Sequence, residues 1–320
     1  MNPTMSGDIE RILSSAGLDP DGARIEPMVG GISSETFSVQ LSSGAYVVKR
    51  SLAKLNVVED WHADPRRVVA EGHALEWFHS LTPALVPKPL AIVEDYWALV
   101  LPMAPAPSPD LRRVLLDFPE NFNPEHARVL GETLALWHSA DPSPMQGSDL
   151  DDVVRLTDLR IDPFYRGMAE RWPEHSTTIK ALVDELTNEK LAVVHGDFTP
   201  KNVLCLPGGS LWVIDTEVAH IGNPVLDTAP MMAHLILKTM VHSHQDEIRT
   251  RIQQAQSDFL GQLPEVSRPP SLGAHTGLFM AVRLAGRAQV PYLSEEQKQT
   301  AENVARALLN GAPLEEAVSA

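Results

Sequence analysis

Cysteine, positive charge and long apolar runs are all scarce in this 320-residue sequence. One cysteine cannot form an internal disulfide, and no basic segment followed by an apolar run opens the chain, so we expect a cytoplasmic protein. Lys and Arg number 26 against 42 Asp and Glu, a net charge of −16, which argues against a nucleic-acid partner. The longest apolar stretches, such as residues 96–103, fall far short of the roughly 20 residues of a membrane helix, so no membrane contact is expected.

Several familiar catalytic motifs are also missing. The sequence contains no Walker A loop, no G-x-S-x-G elbow and no H-E-x-x-H helix, which disfavours P-loop enzymes, α/β-hydrolases and zinc proteases. The H-x-H pair formed by His242 and His244, with His220 and His234 upstream, leaves a metal-dependent hydrolase as a weak hypothesis. We expect the pair to be solvated at a helix end.

Strands dominate the sequence pattern before residue 104. Alternating or β-branched runs broken at Gly30-Gly31 and Ser43-Gly44 predict consecutive antiparallel strands. Apolar residues at helical spacing then predict a helix over 66–80. After it, a further hairpin is predicted with its turn at Glu94-Asp95.

Helices dominate beyond the proline-rich segment 104–110. One begins at Asn123-Pro124, a strand-rich stretch occupies 191–215, and five further helices are predicted over 174–187, 226–241, 245–261, 273–289 and 294–310. We therefore expect an α+β protein with a small β-rich N-terminal domain, residues 1–103, and a larger, mostly helical C-terminal domain, residues 104–320.

The strand-rich stretch carries the segment "VVHGDFTPKNVL", which places Asp197 and Asn202 on a loop between two apolar runs. The next apolar run ends at Asp215, and the Gly208-Gly209 turn folds it back beside that loop. Magnesium prefers hard oxygen ligands, and phosphoryl transfer needs a carboxylate beside the acceptor hydroxyl. The pattern D-x4-N-x12-D therefore predicts one Asp as base, with the Asn and the second Asp as metal ligands. Glu217 is predicted to assist a second ion.

The first half of the chain supplies the parts that a kinase needs around its nucleotide. Lys49 ends a predicted strand and Glu71 lies on the helix that follows, in the order of a phosphate-binding lysine and its acidic partner. Gly30-Gly31 supplies a turn over the phosphates, and Ser33 and Ser34 offer amides and hydroxyls in place of further glycines.

The segments "VLGETLALWHSAD", "HGDFTPKNVL" and "LWVIDTEVAHIGNPVLDTA" resemble the aminoglycoside phosphotransferase and choline kinase-like family. This family carries HGD-x4-N where protein kinases carry HRD, and an I-D-x-E segment where they carry DFG. The resemblance spans residues 25–240 and implies a bilobal protein-kinase-like fold that uses ATP and Mg²⁺. The chain departs from the family in a glycine-poor phosphate-covering turn and in Thr228, where Leu is usual. Neither departure removes a reactive group.

The resemblance also implies residue roles. Asp197 is the implied base, and Asn202 and Asp215 are the implied magnesium ligands. His195 and Asp227 are implied to be scaffold residues, one bracing the catalytic loop and the other tying the following helix to it.

For the nucleotide, the resemblance implies that Lys49 and Glu71 position the α- and β-phosphates. The segment "VLPMA", with Leu101 and Met103, is implied to be a hinge that contacts adenine through backbone groups. We therefore expect an ATP-dependent phosphotransferase that moves the γ-phosphoryl group to a hydroxyl of a sugar, an amino alcohol or an aminoglycoside-like compound. The alternative is a catalytically silent nucleotide-binding module of the same fold.

The acceptor and the oligomeric state stay open at this point. Asp162, Tyr165 and Trp172 are able to hold a cation or a sugar, or to be ordinary surface and core. Arg283 and Arg287, one helical turn apart, suit an anionic acceptor instead.

Overall fold

The computed structural model describes residues 3–28, 33–56 and 61–319. Its α-helices are, in chain order, α1 Pro3–Ser15, α2 Arg67–Leu81, α3 Leu111–Asp117, α4 Glu125–Ser139, α5 Val154–Leu156, α6 Gly167–Arg171, α7 Ser176–Asn188, α8 Val225–Val241, α9 Asp246–Gln262, α10 Leu272–Ala285, α11 Glu295–Leu309 and α12 Leu314–Ser319. Its strands are β1 Arg24–Met28, β2 Ser34–Leu41, β3 Gly44–Ser51, β4 Ala91–Val93, β5 Ala98–Pro102, β6 Ala192–Val194, β7 Val203–Cys205, β8 Leu211–Val213 and β9 His220–Gly222.

The chain separates into two compact units. The first consists of Met1–Ser108 with Cys205–Ala219, and the second of Pro109–Leu204 with His220–Ala320. The domain boundary expected between residues 103 and 104 stays a prediction. A five-stranded antiparallel sheet in the first unit and mostly helices in the second confirm the α+β class.

The sheet of the first unit has the strand order β1-β2-β3-β5-β4. Phe37, Val48 and Val100 are register partners on neighbouring strands, so their side chains share one face. Ile9 and Ile12 of α1 complete the buried cluster on that face, at the spacing of one helical stripe. The N-terminal helix therefore covers one side of the sheet.

The opposite face of this sheet faces α2. Neighbouring strands pair Lys49 with Leu99 and Leu99 with Ile92. On β3 and β5 these residues follow or precede the ones whose side chains point to α1, so their own side chains point to the other face of the sheet. A Cβ at Gly72 of α2 would lie 2.5 Å from the Ile92 side chain, so the absence of one lets the helix approach closely. This packing brings Glu71, the neighbour of that glycine, to the same face as Lys49.

Burial on all sides characterises α8, the central helix of the second unit. Its residues from Val225 to Met240 are all buried, and it packs against α9 and α10. A helix that is buried on every side belongs to the core, although α8 also carries Asp227, His234 and Lys238. No helix in the described ranges is both long and apolar enough to cross a bilayer.

The predicted helices of the second half are confirmed, with one boundary error. The helix predicted over 273–289 ends at Ala285, because Gly286 adopts an extended conformation. The backbone of Val282 lies so close to Gly286 that a Cβ there would clash with it, which explains the glycine at this position. The sequence did not predict the π-helical segment Thr157–Arg166. Pro163 inside it lacks an N–H, which removes an ordinary α-helical hydrogen bond and favours the wider coil.

Candidate active site

An ion cluster in the first unit joins residues that lie far apart in the sequence. Lys49 Nζ lies 2.8 Å from Glu71 Oε1 and 2.5 Å from Asp215 Oδ1. Asp215 has a φ of +69°, a left-handed conformation that non-glycine residues seldom adopt and that is commonest at functional sites. The structure thus brings together the lysine, the helix carboxylate and the "DTE" carboxylate that the sequence pointed to separately.

Burial governs the electrostatics of this cluster. Burial alone lowers the pKa of Lys49, but the carboxylates of Asp215 and Glu71 outweigh it and raise the pKa above its ordinary value. Burial raises the pKa of Glu71 to about 7 despite the attraction of Lys49. Glu71 Oε2 is buried and has no hydrogen-bond partner among the described residues. The charge of Glu71 therefore depends on Lys49.

Glu217 acts on Lys49 and Glu71 through its charge, and its own ion pair is with a residue that the sequence did not single out. Arg67 is buried, and its Nε lies 3.1 Å from Glu217 Oε2. The Arg67 guanidinium also donates to the backbone oxygens of Ser33 and of Asp64. A cation in the first turn of a helix opposes the helix dipole and so calls for a carboxylate partner, which was the available signal.

The other residues predicted to contact the nucleotide lie on β2 and β5 or beside them. Gly31 lies outside the described residues, whereas Ser33 and Ser34 are buried and Ser34 Oγ lies 3.5 Å from Thr36 Oγ1. Leu101 pairs with β3 in the sheet, and the Met103 N–H donates to Ala45 O at 3.0 Å. The amide of Met103 is therefore already engaged in the sheet edge.

In the second unit, the turn before Asp197 is held by one buried carboxylate. Asp227 accepts hydrogen bonds from the backbone N–H groups of His195, at 2.8 Å, and Gly196, at 2.7 Å. Gly196 has a φ of +77°, a conformation that costs glycine little. His138 Nε2 lies 3.0 Å from the same carboxylate, and this histidine of "LWHSAD" had no assigned role from the sequence.

The pKa of Asp227 reflects this environment. Burial alone raises the pKa, but the hydrogen bond and charge of His138 and the N–H of His195 outweigh it and lower the pKa below its usual range. Asp227 is 0 % exposed, so it is a buried, charged acceptor with three donors. It fixes the backbone that presents Asp197.

The carboxylate of Asp197 is oriented from two sides. Asn202 Nδ2 donates to Asp197 Oδ2 and to its backbone oxygen, both at 2.9 Å. Arg160 Nη2 lies 2.9 Å from Asp197 Oδ1, and Arg160 Nε donates to Gly196 O at 3.0 Å. Because Asn202 uses its nitrogen on Asp197, its carbonyl oxygen is the atom suited to a metal ion. Arg160 comes from the π-helical segment, and no sequence signal identified it.

The arrangement of the histidines does not support a hydrolase. The described residues contain no group of three or more His, Cys, Asp and Glu that could hold a metal ion. His242 is buried and its Nε2 bonds to Leu115 O at 2.8 Å, so the expectation that it is solvated was wrong, whereas His244 is exposed.

Comparison with known protein families decides the assignment. The model of the phosphotransferase enzyme family matches residues 24–269, which include the ion cluster and the Asp197 turn. The chain belongs to this family. No curated protein sequence matches the chain.

Solved structures show that this family member has the protein-kinase-like fold. Aminoglycoside phosphotransferase APH(4)-Ia is 16% identical with a TM-score of 0.54, covering 97% of this chain and 99% of the other. A microcompartment-associated aminopropanol kinase is 14% identical with a TM-score of 0.53, covering 98% of both chains. Choline kinase LicA from Streptococcus pneumoniae is 15% identical with a TM-score of 0.51, covering 96% and 99%. The fold expected from the sequence is confirmed.

Proposed function

We propose that this phosphotransferase moves the γ-phosphoryl group of ATP to a hydroxyl of a small molecule, in the cytoplasm. The observation that carries the proposal is the pre-oriented carboxylate of Asp197, held by Asn202 and Arg160 at 2.9 Å. Phosphoryl transfer depends mainly on positioning and electrostatic stabilisation, and a carboxylate fixed in this way meets the first requirement. The proposed residue roles extend this argument to the nucleotide and the metal.

Lys49 is the proposed phosphate-binding residue. An ammonium group has three N–H donors, and two of them point to Glu71 and Asp215, so one remains for a phosphate oxygen. Gly31, Ser33 and Ser34 are proposed to cover the phosphates.

Leu101 and Met103 are proposed to contact adenine through their backbone. Because the N–H of Met103 already donates to Ala45 O, the carbonyl oxygen of Met103 is the backbone atom proposed to contact adenine.

The oxygen ligands available suit magnesium. Asn202 is proposed to contribute its amide oxygen and Asp215 its carboxylate, which matches the one or two carboxylates that magnesium takes beside phosphates and water. In the described parts of the chain, the hydrogen bond from Arg67 Nε goes to Oε2 of Glu217, so Oε1 is the atom proposed to assist a second ion. When bound, the ion neutralises negative charge on the phosphates.

Asp197 is the proposed catalytic base. It accepts a hydrogen bond from the acceptor hydroxyl, aims the oxygen at the γ-phosphorus and takes the proton as the P–O bond forms. Asn202 and Arg160 keep the carboxylate from rotating, and Asp227 holds the turn on which it stands. The phosphorylated product and ADP then leave.

The test is ADP release from magnesium-ATP in the presence of hydroxyl compounds. In Asp197→Asn we expect turnover to fall by about 10²- to 10⁴-fold, because the base is lost, while ATP binding measured by calorimetry stays unchanged. Asp184→Asn is the matched control, since Asp184 is exposed and its carboxylate makes no hydrogen bond with the described residues. Wild-type turnover in Asp197→Asn would refute the base assignment. Bound ATP without ADP release from any acceptor would favour the silent nucleotide-binding module.

A further inference from the structure

Positive charge gathers around Asp197 in a protein whose net charge is −16. Arg160 pairs with Asp197 directly, and the charge of Asp197 also acts on Arg283. Both guanidinium groups lie against one aromatic ring: Arg160 Cζ is 5.3 Å and Arg283 Cζ 5.7 Å from the centroid of Phe164. Two cations thus lie against one ring beside the residue proposed to receive the acceptor hydroxyl, and one of them, Arg160, forms an ion pair with that residue.

Lys238 adds a third cation in the same unit. Its side chain is 0 % exposed, and its ammonium donates to the hydroxyl of Tyr292, with Nζ 4.0 Å from the centroid of that ring. Within the described chain, no carboxylate lies within ion-pair distance of Lys238. A buried ammonium without a counter-charge is costly, so its retention calls for an explanation.

The same basic side chains also act on the buried imidazole of His234. Burial is the main cause that holds the pKa of His234 well below its usual range, and the charges of Lys238, Arg283, Arg112 and Lys201 lower it further. Burial, followed by the charges of Arg283 and Arg112, likewise lowers the pKa of Lys238 well below its usual range, so the charged form of Lys238 needs an added negative charge. The nearby carboxylate of Asp110 opposes these effects on Lys238, but it already pairs with Arg112.

Arg283 has unused donor capacity. Its Nη1 donates to Ala288 O at 3.3 Å, whereas its Nε is buried and has no hydrogen-bond partner in the described parts of the chain. No ion pair joins Arg283 to a carboxylate among those residues. Arg287, which the sequence analysis grouped with it, is exposed instead. Arg283 and Lys238 are therefore two basic side chains that form no ion pair with a carboxylate among the described residues.

We propose that the acceptor is an anionic hydroxyl compound whose phosphate or carboxylate group pairs with Arg283 and Lys238 while its hydroxyl meets Asp197. This inference rests on the proposed phosphotransferase function and names the class of its substrate. The guanidinium group of an arginine forms bidentate hydrogen bonds with a phosphate or a carboxylate. A bound anion also raises the pKa of a buried lysine and so favours its charged form. A cationic amino alcohol or aminoglycoside would instead meet like charge at this position.

The experiment compares acceptors that differ in charge. ADP release is measured with ribose 5-phosphate against ribose, with glycerate against glycerol, and with ethanolamine and kanamycin as cationic acceptors. The variants are Arg283→Gln and Lys238→Met, the latter a neutral chain of similar length that suits a buried position. Arg268→Gln is the control, because Arg268 is exposed and forms no ion pair with the described residues.

We expect an anionic acceptor to be used in preference to its neutral partner. Each variant should raise the KM for that acceptor by about 10- to 100-fold, the loss of one hydrogen bond to a charged group, and leave the KM for ATP unchanged. Arg268→Gln should match wild type. Better use of ribose 5-phosphate would identify the anionic group of the acceptor as a phosphate, and better use of glycerate would identify it as a carboxylate.

Two results would overturn the inference and leave phosphoryl transfer intact: a cationic or neutral acceptor used best, or an anionic one unaffected by both variants. If no acceptor gives ADP release, the proposed function fails, and calorimetry with ribose 5-phosphate and glycerate decides the anion site alone. If wild type binds one of these anions and Arg283→Gln does not, the proposed anion site stands. If wild type binds neither anion, the proposed anion site is excluded.

Discussion

Replacing Asp227 by Asn tests whether one buried carboxylate holds the turn that carries Asp197. In the native chain, one oxygen of Asp227 accepts the N–H of Gly196, and the other accepts the N–H of His195 and the ring of His138. An asparagine has the same shape but only one acceptor oxygen, so its NH₂ group must face at least one of these donors. At best, two of the three hydrogen bonds survive.

The expected loss follows from these contacts. One lost hydrogen bond to a charged acceptor costs about 1.5–3 kcal/mol, and the two that remain weaken because the acceptor is no longer charged. We therefore expect the free energy of unfolding to fall by about 2–4 kcal/mol. A typical domain has about 5–15 kcal/mol, so the variant should still fold.

Denaturant unfolding of both proteins at several pH values measures this loss. The pKa of Asp227 is lowered in the folded protein, so its stabilising contribution is present above the unfolded pKa of about 3.9 and is lost as the pH falls through the folded value. The difference between wild type and Asp227→Asn should therefore be constant near neutral pH and shrink below about pH 4. Turnover of the folded variant should also fall at least about tenfold, because Asp197 is displaced.

Asp184→Asn on the exposed face of α7 is the matched control, with an expected change within about 0.5 kcal/mol. If Asp227→Asn lost no more stability than this control at pH 7, the hydrogen bonds to His195 and Gly196 would not be what holds the turn.

Two further predictions concern the first and second units. Lys49→Met leaves Glu71 buried without its cation, so we expect a loss of about 3–5 kcal/mol at pH 8. Burial raises the pKa of Glu71 to about 7 in the native protein, and the loss of Lys49 removes an attraction that lowers it. Stability is therefore lost as the pH rises from the unfolded pKa of Glu71 through its raised folded pKa, and the loss should be smaller at pH 5. Denaturant unfolding should find stability largely restored in Lys49→Met with Glu71→Gln, and no restoration would contradict the pairing. Gly277→Ala places a Cβ 2.7 Å from Ala305 O and should lower the free energy of unfolding by about 1–3 kcal/mol, whereas Gly261→Ala meets nothing within 4 Å and should be neutral or stabilising; equal effects in thermal unfolding would refute the steric argument.

The local sequence pattern was sufficient to predict several elements of the fold. The turn at Glu94-Asp95 is confirmed, since a 3₁₀ turn at Glu94–Tyr96 joins β4 to β5. The spacing of Asp197 and Asn202 predicted that both stand on one short loop between two strands, and the hydrogen bond between them is consistent with that placement. Lys49 and Glu71 were predictable as a pair because a strand-end lysine followed by a carboxylate on the next helix is the order that a kinase needs around its nucleotide.

Residues that act through distant partners could not be predicted in this way. Arg160 reaches Asp197 from a π-helical segment, and its geometry depends on Pro163 and on the packing around it. His138 became identifiable only when the fold supplied the carboxylate that it contacts, and for Arg67 the sequence indicated the need for a carboxylate but not that Glu217 supplies it.

By itself, the sequence determined the order of chemical groups along the chain and the faces that each helix and strand buries. Hydrophobic periodicity and loop spacing are local properties, so they can be followed without knowing the fold. Tertiary structure alone decided which charges are paired, because ion pairs form between elements that are remote in sequence. Asp227 thus gained its three donors, and Lys238 was left buried without a carboxylate among the described residues.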